Sequence, residues 1–214
     1  MQMPRQLVTT PSEDLSNGTP LTFNQLTKIY YDRYKPLYSQ VQTFNEMPVE
    51  LIFEVAAAWD HVTRHWMYGE SEASCVDKAS RHVKRAIFDA FKLILKARVD
   101  EYDELRAVDT SLINNGEFDR ELIALMAEIR RDAIDARMAE GNTSAPESWS
   151  DAFNLWDKVH ANCEKFNQEF YLNDKVEWAR KKTQEFTSRR RWEGFGIGVA
   201  ASAVVTLVWW MIVG

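Results

Sequence analysis

Residues 72–108 read EASCVDKASRHVKRAIFDAFKLILKARVDEYDELRAV, a stretch with neither glycine nor proline. Its apolar residues recur every three or four positions, at Val76, Ala79, Val83, Ala86, Ile87, Ala90, Ile94 and Leu95. This is the 3.6-residue period of an α-helix that buries one face. The stretch therefore predicts a long helix against which the rest of the domain packs.

Two shorter helices are predicted before this stretch. The first starts after Pro20, with Thr22 as its cap, and is expected to bend at Pro36 because proline interrupts the backbone ladder. The second starts near Pro48 and ends at the loop of residues 68–71, which contains Gly69.

Two more helices are predicted after it, beyond a break at residues 114–116, whose sequence is Asn-Asn-Gly. The fourth spans roughly residues 118–140, with an inward face of Leu122, Leu125, Met126, Ile129, Ala133 and Ile134. The fifth begins near Ser148 and is expected to continue towards the C-terminus almost unbroken. No stretch alternates as a strand does, so we predict an all-α protein whose residues 21–191 form an up-down bundle of four or five helices.

The C-terminal residues 194–214 read GFGIGVAASAVVTLVWWMIVG and contain no charged residue. A helix of about 20 apolar residues spans the hydrocarbon core of a bilayer, roughly 30 Å thick. The three arginines at 189–191 precede this run, and cationic flanks stay on the cytoplasmic side. The sequence therefore predicts a tail-anchored, single-pass membrane protein. Residues 192–214 would cross the bilayer, residues 1–191 would face the cytoplasm, and a bacterial inner membrane is the expected location.

Small or hydroxylic residues recur every four positions along this segment, at Gly194, Gly198, Ser202 and Thr206. Such a stripe lets two membrane helices approach closely, which favours their association. We therefore predict a homo-oligomer that packs through this stripe in the lipid bilayer. If the contact lies in the bundle instead, Trp59 and Trp149 are the first aromatic residues to test.

The remaining composition limits the functional classes. Residues 1–20 contain three prolines and are predicted to form a flexible N-terminal arm. The formal net charge of −6 argues against coating of bulk nucleic acid. Cys75 and Cys163 are far apart on predicted helices, which indicates buried thiols and no disulfide framework.

Motifs for catalysis are absent from the sequence. It contains no glycine-rich phosphate loop, nucleophile elbow or cysteine cluster, so we predict a protein that is not an enzyme and uses no cofactor. His61 and His65 stand one helical turn apart, yet zinc needs three or four ligands. We interpret the two histidines as a pair on the helix surface or at the rim of the core, with Asp60 and Arg64 paired beside them, and predict no metal site.

A row of basic residues is the main charge feature of the central helix. Its members are Lys78, Arg81, Arg85, Lys92 and Lys96, whose spacing of 3, 4, 7 and 4 places them on one face. Such a row would hold a phosphate-rich ligand such as a nucleotide or an oligonucleotide. The alternative is a solvated face neutralised by acidic residues of neighbouring helices.

Residues 47–51 (MPVEL), 59–61 (WDH) and 77–86 (DKASRHVKRA), with Asp89 and Lys92 beyond them, resemble bacterial HEPN-like helical domains. Such domains recur in anti-phage defence proteins, some of which join a helical bundle to one membrane helix. Nuclease members of that class have a histidine four to six residues after an arginine, and this chain has no such pair. The resemblance thus implies a sensing or binding bundle coupled to a membrane helix, without RNase activity.

Two functions follow from these observations. The first is an oligomeric membrane effector of the anti-phage type, whose bundle senses a nucleotide or oligonucleotide and gates or disrupts the bilayer. The second is a non-catalytic accessory subunit of a larger membrane complex, such as a respiratory assembly, in which the bundle binds partner proteins.

Overall fold

The computed structural model describes residues 21–111, 113–141 and 146–185, and of residues 146–149 it describes the backbone only. Every regular element in these ranges is helical, which confirms the predicted all-α fold. The predicted arm (residues 1–20) and the predicted membrane helix (residues 192–214), with Gly194, Gly198, Ser202 and Thr206, lie outside the described residues. Within the described ranges, no helix is both long and apolar enough to cross a bilayer.

Helix α1 comprises Phe23–Ile29, a π-helical turn at Tyr30–Tyr34 and Lys35–Val41. Its start at Thr22 is confirmed. The Thr22 hydroxyl accepts a hydrogen bond from the backbone of Gln25, and the Gln25 side chain accepts one from the backbone of Thr22. Near Pro36, where a bend was predicted, the structure has the wide π-turn, which ends two residues before the proline. Pro36 lacks an N–H group and its ring crowds the carbonyl four residues earlier, and a wider turn relieves that crowding.

Helices α2 (Val49–Tyr68) and α3 (Glu72–Arg106) form a hairpin. Pro48 stands at the start of α2, and Gly69 ends it with a φ of 71°, a left-handed conformation that glycine adopts without strain. Ser71 then caps α3 by accepting a hydrogen bond from the backbone N–H of Ser74. The short connection therefore places α2 along one side of the central helix α3.

The break after α3 is confirmed at a tight turn, Ile113–Gly116, in which Asn114, Asn115 and Gly116 all have positive φ. Helix α4 follows at Glu117–Gly141, and α5 runs over Pro146–Phe166 and ends in a second π-turn at Asn167–Tyr171.

The prediction of an almost unbroken fifth helix was wrong. The helix stops at residues 172–173, and a sixth helix, α6, occupies residues 174–185. The Asn173 side chain explains the restart, because it accepts a hydrogen bond from the backbone N–H of Lys175. The described part thus contains six helices where four or five were predicted.

The core lies between α3, α4 and α5, with α1 against one side. All eight predicted core residues of α3 are buried, and so are both cysteines. Trp156 and Phe153 of α5 are fully buried, and the Phe153 ring lies 4.5 Å from that of Phe88. Ile134 was predicted to face inward on α4, but it is exposed because Ala133, one position earlier, takes the inward place.

A layer of buried polar contacts links α1, α3 and α5. Arg33, in the first π-turn, donates to both carboxylate oxygens of Asp157 at 2.5 and 2.7 Å. Arg98 is buried on α3 and donates to Glu101 at 2.6 Å and to Asn167, in the second π-turn, at 2.7 Å. Each π-turn therefore supplies one residue to this layer.

Candidate functional site

Three of the five predicted ligand-binding residues lie together on the first half of α3. Lys78 Nζ is 3.3 Å from a carboxylate oxygen of Glu70, and Arg81 donates to Asp77 at 2.8 Å. Arg85 Nε is 3.4 Å from Glu54 of α2. All three side chains are 44% or more exposed, so these ion pairs are solvated and contribute little to stability.

The other two predicted residues lie on the second half of α3. Lys92 donates to Asp89 at 3.1 Å and to Glu140 at 2.7 Å, and Glu140 lies near the end of α4. Burial lowers the pKa of Lys92, but these two carboxylates outweigh burial and raise it above its ordinary value. Lys96 is exposed. Lys92 thus contributes to the packing of α4 on α3.

The two halves of the basic row are separated by Phe88. This side chain lies between Arg85 and Lys92 on the same side of α3, and it is buried against Phe153 of α5. The structure therefore brings together Lys78, Arg81 and Arg85, and it places Lys92 at a different contact.

The histidines of α2 make contacts with α3 and with the loop that follows α2. The His61 ring stacks on that of His82 at 5.2 Å, and His82 Nδ1 is 2.7 Å from Glu54. His65 Nδ1 is 2.7 Å from the backbone carbonyl of Glu70. Among the residues with described placement, no three His, Cys, Asp or Glu side chains are grouped so that they could hold a metal ion.

Helix α2 presents a second apolar face, which points away from the bundle. Of its side chains only Leu51 and Ala58 are buried. Phe53, Trp59, Trp66 and Met67 are 70%, 65%, 63% and 73% exposed. We call the outward set the α2 face: Val49, Ile52, Phe53, Ala56, Trp59, Asp60, Thr63, Trp66 and Met67. Its polar members are Asp60 and the half-buried Thr63, and the other residues are apolar. Exposed large apolar side chains gathered on one side of a folded protein mark an interaction site.

A pocket of about 510 Å³ opens beside the α2 face, between α1 and α2. Its walls include Phe23, Tyr30 and Tyr31 of α1 and Val55, Trp59 and Trp66 of α2. Trp66 is held in place by stacking on Phe23, with ring centroids 5.1 Å apart. The pocket therefore extends the apolar surface from α2 onto α1, in the concave form that receives side chains of a binding partner.

Sequence reasoning singled out only Trp59 of the α2 face, as an aromatic residue to test for assembly, although the signal of the whole face was present. Leu51, Val55, Ala58 and Val62 form one apolar stripe, and Ile52, Phe53, Ala56 and Trp59 form a second stripe beside it, rotated about 120° around the helix. A surface helix with two apolar stripes needs two partners. The bundle covers only the first stripe.

Comparisons of the chain with protein-family models, with curated proteins and with solved structures find no match.

Proposed function

We propose that this protein is a non-catalytic, membrane-anchored interaction module that binds another protein chain through the α2 face. The observation that carries the proposal is the exposure of Phe53, Trp59, Trp66 and Met67 along one side of a single helix. Aromatic residues and methionine are enriched where proteins meet, and lysine and glutamate are depleted there. The α2 face has this composition.

The predicted membrane segment would favour binding through the α2 face by holding the bundle at the bilayer. A bundle tethered to a bilayer is confined to a thin layer near the surface, which raises its effective concentration towards other tethered proteins. An interface of modest size then suffices for assembly. Both an oligomeric effector and an accessory subunit would use the α2 face in this way.

Photo-crosslinking in native membranes tests the proposal. A photoreactive amino acid at position 53 on α2 is compared with the same amino acid at position 138 on α4. Phe53 and Met138 are exposed to a similar extent, 70% and 63%, so reagent access is matched. We expect a discrete protein adduct from position 53 and none from position 138. Adducts of lipid alone at position 53 would overturn the proposal.

A second candidate function is the phosphate-responsive effector expected from the basic row. The exposure of Lys78, Arg81 and Arg85 favours it, because solvated ion pairs are weak and a polyphosphate can displace their carboxylate partners. In this function the ligand would shift the assembly between two states for which it has different affinities.

A further inference from the structure

Apart from Val49 and the central Trp59–Asp60 pair, the α2 face has residues of similar size at equal distances on either side of one midpoint. Large residues stand at Ile52–Phe53, a small one at Ala56, a mixed pair at Trp59–Asp60, a small one at Thr63 and large ones at Trp66–Met67. The midpoint of this pattern lies between Trp59 and Asp60. In a dimer with two-fold symmetry, both subunits use the same surface patch. A face with a symmetric pattern is therefore suited to pair with the same face of a second copy.

We propose that the α2 face binds a second copy of this chain, with the two α2 helices antiparallel about a two-fold axis near Trp59–Asp60; this rests on the proposed function. The large pairs lie about seven residues from the midpoint, or about 10–11 Å along the helix. The two-fold rotation sets Ile52–Phe53 opposite the partner's Trp66–Met67. It also sets Ala56 opposite the partner's Thr63.

The size of the residues fits this arrangement. Ala56 and Thr63 lie one helical turn on either side of the central Trp59–Asp60 pair, and small side chains at these positions favour the close approach of two helices. The large residues lie at the ends of the contact. The pocket of about 510 Å³ borders its middle part, because Val55, Trp59 and Trp66 line it. The antiparallel arrangement sets the partner's Phe53 opposite Trp66, beside this pocket.

The charges at the midpoint are also compatible with self-association. Asp60 lies close to the axis, so the two Asp60 carboxylates approach each other. Each already accepts a hydrogen bond from Arg64 Nε of its own chain at 3.0 Å. Four alternating charges therefore meet at the axis, and neither carboxylate is left without a cation.

The available area is adequate for a stable dimer. An aromatic side chain presents on the order of 200 Å², and Phe53, Trp59 and Trp66 are each about two-thirds exposed. These three side chains alone would withdraw roughly 400 Å² per chain from water, about half of the ~800 Å² per partner of a standard interface. Ile52, Met67 and the rim of the pocket supply the rest.

Disulfide trapping of the full-length protein in detergent tests the pairing. Two variants, Ala56→Cys and Thr63→Cys, are prepared with tags of different mass, mixed and oxidised with copper phenanthroline. The native cysteines do not interfere, because Cys75 and Cys163 are fully buried. We expect the mixed disulfide, which joins one variant to the other, to exceed either self-linked product at least fivefold. A Met138→Cys variant on the exposed side of α4 is expected not to crosslink.

Two results would overturn the proposal. A predominance of self-linked Ala56→Cys would indicate parallel helices, and the absence of any disulfide would show that the α2 faces do not meet. The photo-crosslinking at position 53 separates this failure from that of the proposed function. An adduct with a protein of another mass would support the interaction module and refute the self-pairing. Adducts with lipid alone would refute both proposals.

Discussion

Leu51→Ala and Phe53→Ala are expected to have very different effects on folding, although the two residues are neighbours on α2. Leu51 is fully buried, and a buried Leu→Ala substitution costs about 2–5 kcal/mol. Phe53 is 70% exposed, so the bundle covers only some 60 Å² of its side chain, worth about 1.5 kcal/mol at most. For a chain of this size 1 kcal/mol shifts the unfolding temperature by roughly 2–4 °C. We expect the unfolding temperature to fall by about 10 °C for Leu51→Ala and by about 6 °C or less for Phe53→Ala.

The buried cysteines provide an assay that works in detergent or lipid. Burial raises the pKa of the Cys163 thiol to about 12, so little thiolate exists at neutral pH and alkylation requires opening of the bundle. Cys75 is equally inaccessible. The fraction of alkylated chains, counted by mass spectrometry across a temperature series, then reports unfolding. A dilution series is needed as a control, because dimerisation stabilises the folded chain in a concentration-dependent way.

If Leu51→Ala and Phe53→Ala lower the unfolding temperature equally at every protein concentration, the reasoning is refuted. That outcome would mean that Phe53 is part of the folded core and that the α2 face is not free to bind. If Phe53→Ala lowers the unfolding temperature in concentrated protein and has no effect in dilute protein, the result supports an interface between chains.

Three further outcomes are expected. Arg81→Glu combined with Arg85→Glu is expected to lower the affinity for a polyphosphate probe at least tenfold, and the unmutated protein should lose affinity steeply with salt, as isothermal calorimetry would measure. Gly198→Leu is expected to weaken association of the predicted membrane helix, which reduces the mass seen by sedimentation in detergent; an unchanged mass would assign assembly to the bundle. Burial lowers the pKa of His160 below its ordinary 6.5, so the folded state binds fewer protons than the unfolded one, and stability falls as the pH drops through 6.5. His160→Gln, which keeps a polar group beside Gln40, is expected to flatten the change in unfolding temperature between pH 7.5 and 5.5; an unaltered slope would assign the effect to other groups.

Most of the fold could be predicted because its signals are local. The Thr22 cap, the Gly69 stop and the break at Asn114–Gly116 each depend on a few adjacent residues, and the structure confirms them. The restart at Asn173 was missed because Asn and Asp occur in helix interiors as well as at caps. The inward position of Ala133 was predicted correctly, but the exposure of Ile134 was missed, since adjacent residues on a helix differ by only 100° in direction.

The candidate site was harder to predict because it depends on which faces remain uncovered. The basic row of α3 is evident in the sequence, but its division by Phe88 depends on where α5 crosses α3. The outward direction of Trp59 and Trp66 likewise depends on α3 covering only the other apolar stripe of α2. Periodicity identifies an amphipathic helix, and only the packing shows which of two apolar stripes is left for a partner.

The two π-turns have a consequence for how the length of this chain can change. A π-turn holds one residue more than an α-turn. When that extra residue is removed, the helical residues before and after the turn still point their side chains to the same sides of the bundle. Elsewhere in the bundle a one-residue deletion rotates everything downstream by about 100° and exposes the core face. Tyr31 is 56% exposed in the first π-turn, and its deletion would leave Arg33 on the side of Asp157. We therefore expect a single-residue deletion to preserve the core better in Tyr30–Tyr34 or Asn167–Tyr171 than inside the α-helical segments, with the crowding at Pro36 restored as the cost in the first of them.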